Sequence, residues 1–155
     1  MTTIAELMRD APSFGRMSER TIEMVAGCGS NVQFEAGAAI YREGDAADHF
    51  YLLRHGRVAL EAYSPSRGDL VIETIDAGEV LGWSWLFPPY RSHFDAHALT
   101  PVRATAFDGA CLRGKCDADP QLGYELLTHF AQTAIERLQW TRLRLLDVYG
   151  HAQGA

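Results

Sequence analysis

Lysine is almost missing from this chain of 155 residues: Lys115 stands alone among 14 basic residues, and the net charge is −6. An acidic chain without clustered cations is a poor match for a nucleic-acid backbone, so direct DNA binding is not expected. Long apolar runs are also missing; none approaches the roughly 20 residues that cross a bilayer. Residues 1–10 have neither the basic head nor the apolar centre of a secretory leader, which predicts a cytoplasmic protein without membrane attachment. Cysteines number only 3, without the spacing of a disulfide framework, and reduced thiols are the simpler expectation. Cys111 and Cys116 are five apart and Cys28 is remote, which is not the ligand spacing of a zinc or iron–sulfur site, so no metal is expected. Nucleophile elbows, phosphate loops and zinc-hydrolase motifs are absent, so no catalytic residues are assigned and no enzyme is expected.

What is present fits one globular unit: 47% of residues are hydrophobic and 22% charged. Residues 1–30 read as short helices. Ile4, Leu7 and Met8 form one apolar face; Ser18 caps a second helix that turns Ile22 and Val25 inward, and Gly27-Cys28-Gly29-Ser30 ends it. Residues 31–108 switch to short β runs broken by Gly37, Gly44, Gly56, Gly68 and Gly78. Many short strands with regularly spaced turns predict a jelly roll or barrel. Residues 109–150 return to helix. Asp108 caps a short helix through Cys116, and Asp119-Pro120 starts a long one. In the long helix Leu126, Phe130, Ala134, Leu138 and Leu145 recur on one face. That stripe is wide enough to cover a barrel and also pair with a second copy, which predicts a homodimer. Residues 151–155 read as a tail, within a frayed stretch from Gly150.

The run Phe34-x-x-Gly37-x-x-Ile40-x-x-x-Gly44-Asp45, followed by Phe50-Tyr51-x-Leu53-x-x-Gly56-x-Val58-x-Leu60, resembles the cyclic-nucleotide-binding domain of catabolite-activator and fumarate-nitrate-type regulators. Asp119-Pro120-x-Leu122, Glu136-Arg137-Leu138 and Thr141-Arg142 are similar to the dimerising helix of that family. The resemblance implies a mainly β fold: a jelly-roll barrel with flanking helices and a long C-terminal dimerisation helix. In those regulators a helix-turn-helix follows that helix. This sequence stops about where it would begin, so the resemblance implies action through an unidentified protein partner.

The resemblance also implies a pocket for a small anionic ligand, cAMP or cGMP, with no other cofactor. Gly78-Glu79-Val80-Leu81-Gly82 opens the matching segment, Trp83 to Phe87 stands where a short helix is expected, and Arg91-Ser92 follow. By position Glu79 would accept from a ribose hydroxyl, helix-start amides would face the phosphate, and Arg91 with Ser92 would hold its charge. The ligand set is thus Glu79, Val80, Leu81, Gly82, Trp83, Arg91 and Ser92. Departures leave alternatives open. The small residue falls at Gly82 rather than at position 81, and His93 and Phe94 stand where small residues are usual. Gly-acidic-apolar-apolar-Gly-aromatic also resembles the gas-sensing branch, which does not bind cyclic nucleotides. One alternative is an adaptor whose barrel is filled by Trp83 and Trp85, with Glu79 and Arg91 as an internal ion pair. Another is a haem or gas sensor using His93 and His97, which share one strand face.

Overall fold

A computed structural model describes residues 2–12 and 14–153, with side chains as far as residue 150. Two short helices come first, α1 (Ile4–Asp10) and α2 (Glu19–Ala26). Thr3 caps α1 in a reciprocal box with Glu6, and the Ser18 side chain accepts from Thr21 N to cap α2. Eight strands follow: β1 (Gly29–Phe34), β2 (Ala39–Tyr41), β3 (His49–His55), β4 (Arg57–Ser64), β5 (Gly68–Asp76), β6 (Val80–Leu81), β7 (Asp95–Ala98) and β8 (Val102–Asp108). They pair antiparallel in two four-stranded sheets, ordered β1-β8-β3-β6 and β2-β7-β4-β5. This is the expected jelly roll.

Alternation along β3 and β8 builds two cores from one sheet. Val102 and Ala104 turn between the sheets, where they join Leu53, Val58, Ile75, Leu81, Ala96 and Ala98. Phe50, Leu52 and Phe107 turn the other way and meet the helices. There Phe50 stacks on Phe107 at 4.6 Å and on Trp85 at 5.2 Å. The β3–β4 corner requires Gly56: its φ is +95°, and a Cβ would lie 2.3 Å from the Pro101 carbonyl.

The chain closes with α3 (Gly109–Ala118) and α4 (Pro120–Gln153). Asp108 caps α3 through the amide of Cys111, as expected. The first turns of α4 are sealed by Leu122, Leu126 and Phe130, each at most 2% exposed. Leu126 and Phe130, expected on the pairing face, are therefore packed against their own barrel. Ala134, Leu138 and Leu145 remain exposed. The helix also continues beyond the expected end at Gly150 as far as Gln153, and Gly154 and Ala155 lie outside the described residues.

Two further expectations change. Cys28 and Cys111 form a disulfide, with Cα atoms 5.9 Å apart. The cause is register: Gly29 pairs with Phe107, so the residue before β1 meets the helix that follows β8. Cys116 stays free. Secondly, residues 83–87 form turns, not a helix. Leu86 N donates to Trp83 O at 3.3 Å and Tyr90 N to Phe87 O at 2.9 Å. Pro88 and Pro89 have no N–H to extend a helical ladder, and a residue before proline avoids helical ψ.

Candidate functional site

The cavity of the barrel opens beside the segment that follows β6. It encloses about 310 Å³. Tyr41, Tyr51, Leu60, Trp83 and Phe94 supply an apolar wall; Ala46, Ala47, His49, Gly82, Ser84, Ser92, His93 and Ala134 complete it, and Glu73 and Arg137 are its strongly charged members. Burial pushes the phenol of Tyr41 far above its usual range, with Tyr51 adding to the shift. Burial also raises Tyr51, helped by Asp48. Both phenols therefore stay protonated and can donate hydrogen bonds at neutral pH.

Trp83 and Trp85 part ways. Trp85 is 1% exposed and lies among Phe50, Phe107 and Phe130 in the helical core. Trp83 stays on the cavity wall, edge-on to Phe130 at 4.9 Å. Residues i and i+2 would share one face of a strand, so it is the turns at 84–87 that send the two indoles to different places.

The residues expected to hold a ligand are divided by the fold. Gly82, Trp83 and Ser92 line the cavity. Val80 and Leu81 are buried strand residues that fix β6 to β3. Glu79 folds over its own turn: its Oε1 accepts from Asp76 N at 2.9 Å. Its Oε2 lies 3.8 Å from Nη2 of Arg137, bordering a second, more polar hollow with Arg16, His129 and Glu136. Arg91 is exposed, and its guanidinium donates to Gly44 O at 2.9 Å. Glu79 and Arg91 therefore do not form the ion pair considered as an alternative. His97 leaves the cavity as well, with its Nδ1 3.1 Å from Oε1 of Glu61, whereas His93, ahead of β7, lines it.

Of the two charged pocket residues that sequence reasoning left unassigned, Glu73 and Arg137, the one with a readable signal is Arg137. It follows Phe130 by seven positions on α4, so it continues the inward stripe of Leu122, Leu126 and Phe130. A lone cation at an inward position was the available signal. Arg137 Nη2 donates to Val80 O at 2.6 Å, its Nε is 4.0 Å from Glu73, and the guanidinium lies 5.3 Å from the Trp83 ring centre. One side chain joins helix, strand and cavity wall.

Two antiparallel sheets, a glycine-cornered turn after β6 and a long helix beside the cavity define a jelly roll of the cyclic nucleotide-binding type. The chain belongs to the cyclic nucleotide-binding domain family, whose model matches residues 31–119. It is 26% identical over 117 residues to the CRP-like cAMP-activated global transcriptional regulator of Mycobacterium tuberculosis, covering 76% of this chain and 50% of the relative. The chain thus spans about half the length of the curated relatives it matches. Among solved structures, a protein of Geobacter metallireducens GS-15 described as cyclic nucleotide-binding superposes with a TM-score of 0.78 at 28% identity, covering 89% of this chain and 99% of that one. A cyclic nucleotide-binding domain of Methylobacillus flagellatus has the same fold, with a TM-score of 0.78 at 20% identity over 92% and 80% of the two chains.

Proposed function

We propose that this chain is a sensor module that takes a small anionic ligand, cAMP or cGMP, into the barrel cavity and passes its occupancy to a partner protein. The observation that carries this reading is the open cavity. Its volume falls at the lower end of the range of about 300–1,000 Å³ usual for small-molecule pockets. Membership of the family and the likeness to a cAMP-activated regulator support the choice of ligand.

In this reading Arg91 leaves Gly44 O for the phosphate, Ser92 supports it, and Glu79 leaves Asp76 N for the ribose. Each side chain surrenders one hydrogen bond to backbone made near the surface. The ligand shifts the protein only because it binds the rearranged state more tightly than the resting one. The second half of α4 supplies the output surface. Leu138 and Trp140 are 48% and 67% exposed there, which favours pairing with a second copy.

Calorimetry with cAMP and cGMP tests the proposal. Wild type should bind one of them, and Arg91→Ala should weaken binding by about 10- to 100-fold, the worth of a charge-assisted contact. Absence of heat with both nucleotides rejects it. The ring-lined wall and the outward Arg91 would then favour an adaptor module that does not bind nucleotide.

A further inference from the structure

The disulfide lies at a junction, and the junction leads to the cavity wall. Cys28 closes the turn between α2 and β1, while Cys111 is in the first turn of α3. Helix α3 in turn supports the 83–90 segment from below. Arg113 donates to Trp85 O and packs over the Tyr90 ring at 4.2 Å. A Cβ on Gly109 would be 3.0 Å from that of Trp85, so helix and segment are in close contact. The same segment carries Trp83 and Ser84 into the cavity.

Contacts independent of sulfur keep the barrel closed at this point. Six residue pairs join β1 to β8, Asp108 N donates to Cys28 O at 2.9 Å, and Lys115 Nζ donates to Met24 O at 2.7 Å. Opening the disulfide removes one tie on α3 and leaves the strand register in place. Access to the two sulfurs is unequal: Cys28 is 8% exposed, and Cys111 is half-buried.

We propose that Cys28–Cys111 is a reversible redox tether that sets how firmly α3 holds the 83–90 wall of the cavity. The reductant is a soluble dithiol. Its thiolate attacks Sγ of Cys111, the sulfur–sulfur bond breaks, and the Cys28 thiolate leaves and takes up a proton. The second thiol of the reductant then attacks the mixed disulfide and releases Cys111, which is protonated in turn. Two electrons pass to the protein, and the dithiol departs as its own disulfide. Burial, with Asp117 and Asp119 nearby, raises the Cys116 thiol and keeps that third sulfur a poor nucleophile. This control rests on the nucleotide reading only for its consequence, a change in ligand affinity. Its test therefore uses no ligand.

Hydrogen exchange by mass spectrometry, on the oxidised full chain, after dithiothreitol, and on Cys28→Ser, decides the matter. Unreduced peptides should first show residues 28 and 111 linked. Amides in 83–90 and 109–118 should exchange about fivefold faster or more in the reduced protein and in Cys28→Ser, while β3 and β8 keep their protection. Reoxidation by a soluble disulfide, which takes up the two electrons and two protons and leaves as its dithiol, should restore wild type, and Cys116→Ser should respond as wild type does. A missing 28–111 link, unchanged exchange in 83–90, or loss of protection in β3 and β8 along with α3 overturns the tether. So does a Cys116→Ser protein that no longer responds.

Discussion

The Glu79 carboxylate lies 3.8 Å from Arg137 of the long helix, whereas Arg91, close to it in sequence, donates to the carbonyl of Gly44. The polar centre of this domain is therefore built across the barrel–helix contact. Arg137→Ala should loosen that contact by removing the bond to Val80 O and the packing over Trp83. A loss of about 1–3 kcal/mol is expected in urea unfolding, the range for a hydrogen bond to a charged group with its buried partner left unpaired. Arg137→Lys should recover only part of it, because an ammonium does not reproduce the planar stack.

Pairing through α4 is tested by Leu138→Asp. Sedimentation should find wild type as a dimer and the variant as a monomer, with the same far-ultraviolet dichroism, because position 138 lies outside the domain core. A variant that stays dimeric removes the long helix as the pairing surface.

Gly56 and Gly37 make a matched pair. Both have positive φ, but a Cβ at Gly56 meets the Pro101 carbonyl at 2.3 Å, while a Cβ at Gly37 meets nothing within 4 Å. Gly37→Ala should cost about 1–2 kcal/mol for the left-handed conformation alone. Gly56→Ala adds a backbone collision and should cost more than about 4 kcal/mol, at the extreme of single substitutions. Equal losses in denaturant titrations would contradict the packing at that corner.

Stability should fall on mild acidification, partly through His129. Its ring stacks on Phe14 at 5.0 Å, and its Nε2 is buried without a hydrogen-bond partner among the described residues. Burial lowers its pKa from the usual 6.5, with Glu136 opposing. The unfolded chain therefore takes up the proton first. The folded state loses ground as pH drops below the unfolded value and continues to do so until it reaches the folded one. Above that window the group has no effect. Thermal melts from pH 8 to pH 5 should show a shallower decline for His129→Gln than for wild type.

Local signals were legible in the sequence because their physics is local. Ser18, Asp108 and Asp119-Pro120 announce helix starts through caps that need only neighbouring amides, and Gly37, Gly44, Gly56, Gly68 and Gly78, all with positive φ, mark the turns between the β runs. Features that depend on register were not. Nothing near Cys28 points to Cys111, since β1–β8 pairing alone brings them together. The stretch from Trp83 to Phe87 was read as helix by analogy with the family; two following prolines and the demand of the core for Trp85 make it a pair of turns. Arg137 stood in plain view as a charge on an apolar stripe, but its place in the pocket depends on how α4 lies over β6.

Helix α4 is gripped only along its first part. From Arg137 to its end it runs for 16 residues, roughly 24 Å at 1.5 Å per residue. A tilt of about 10° at the Arg137 contact would carry the tip through roughly 4 Å. The gripped part, from Pro120 to Arg137, is about as long, so such a swing comes from a bend at that contact and not from a rigid tilt of the whole helix. A bend that leaves the barrel in place becomes, at the far end, the width of a side chain.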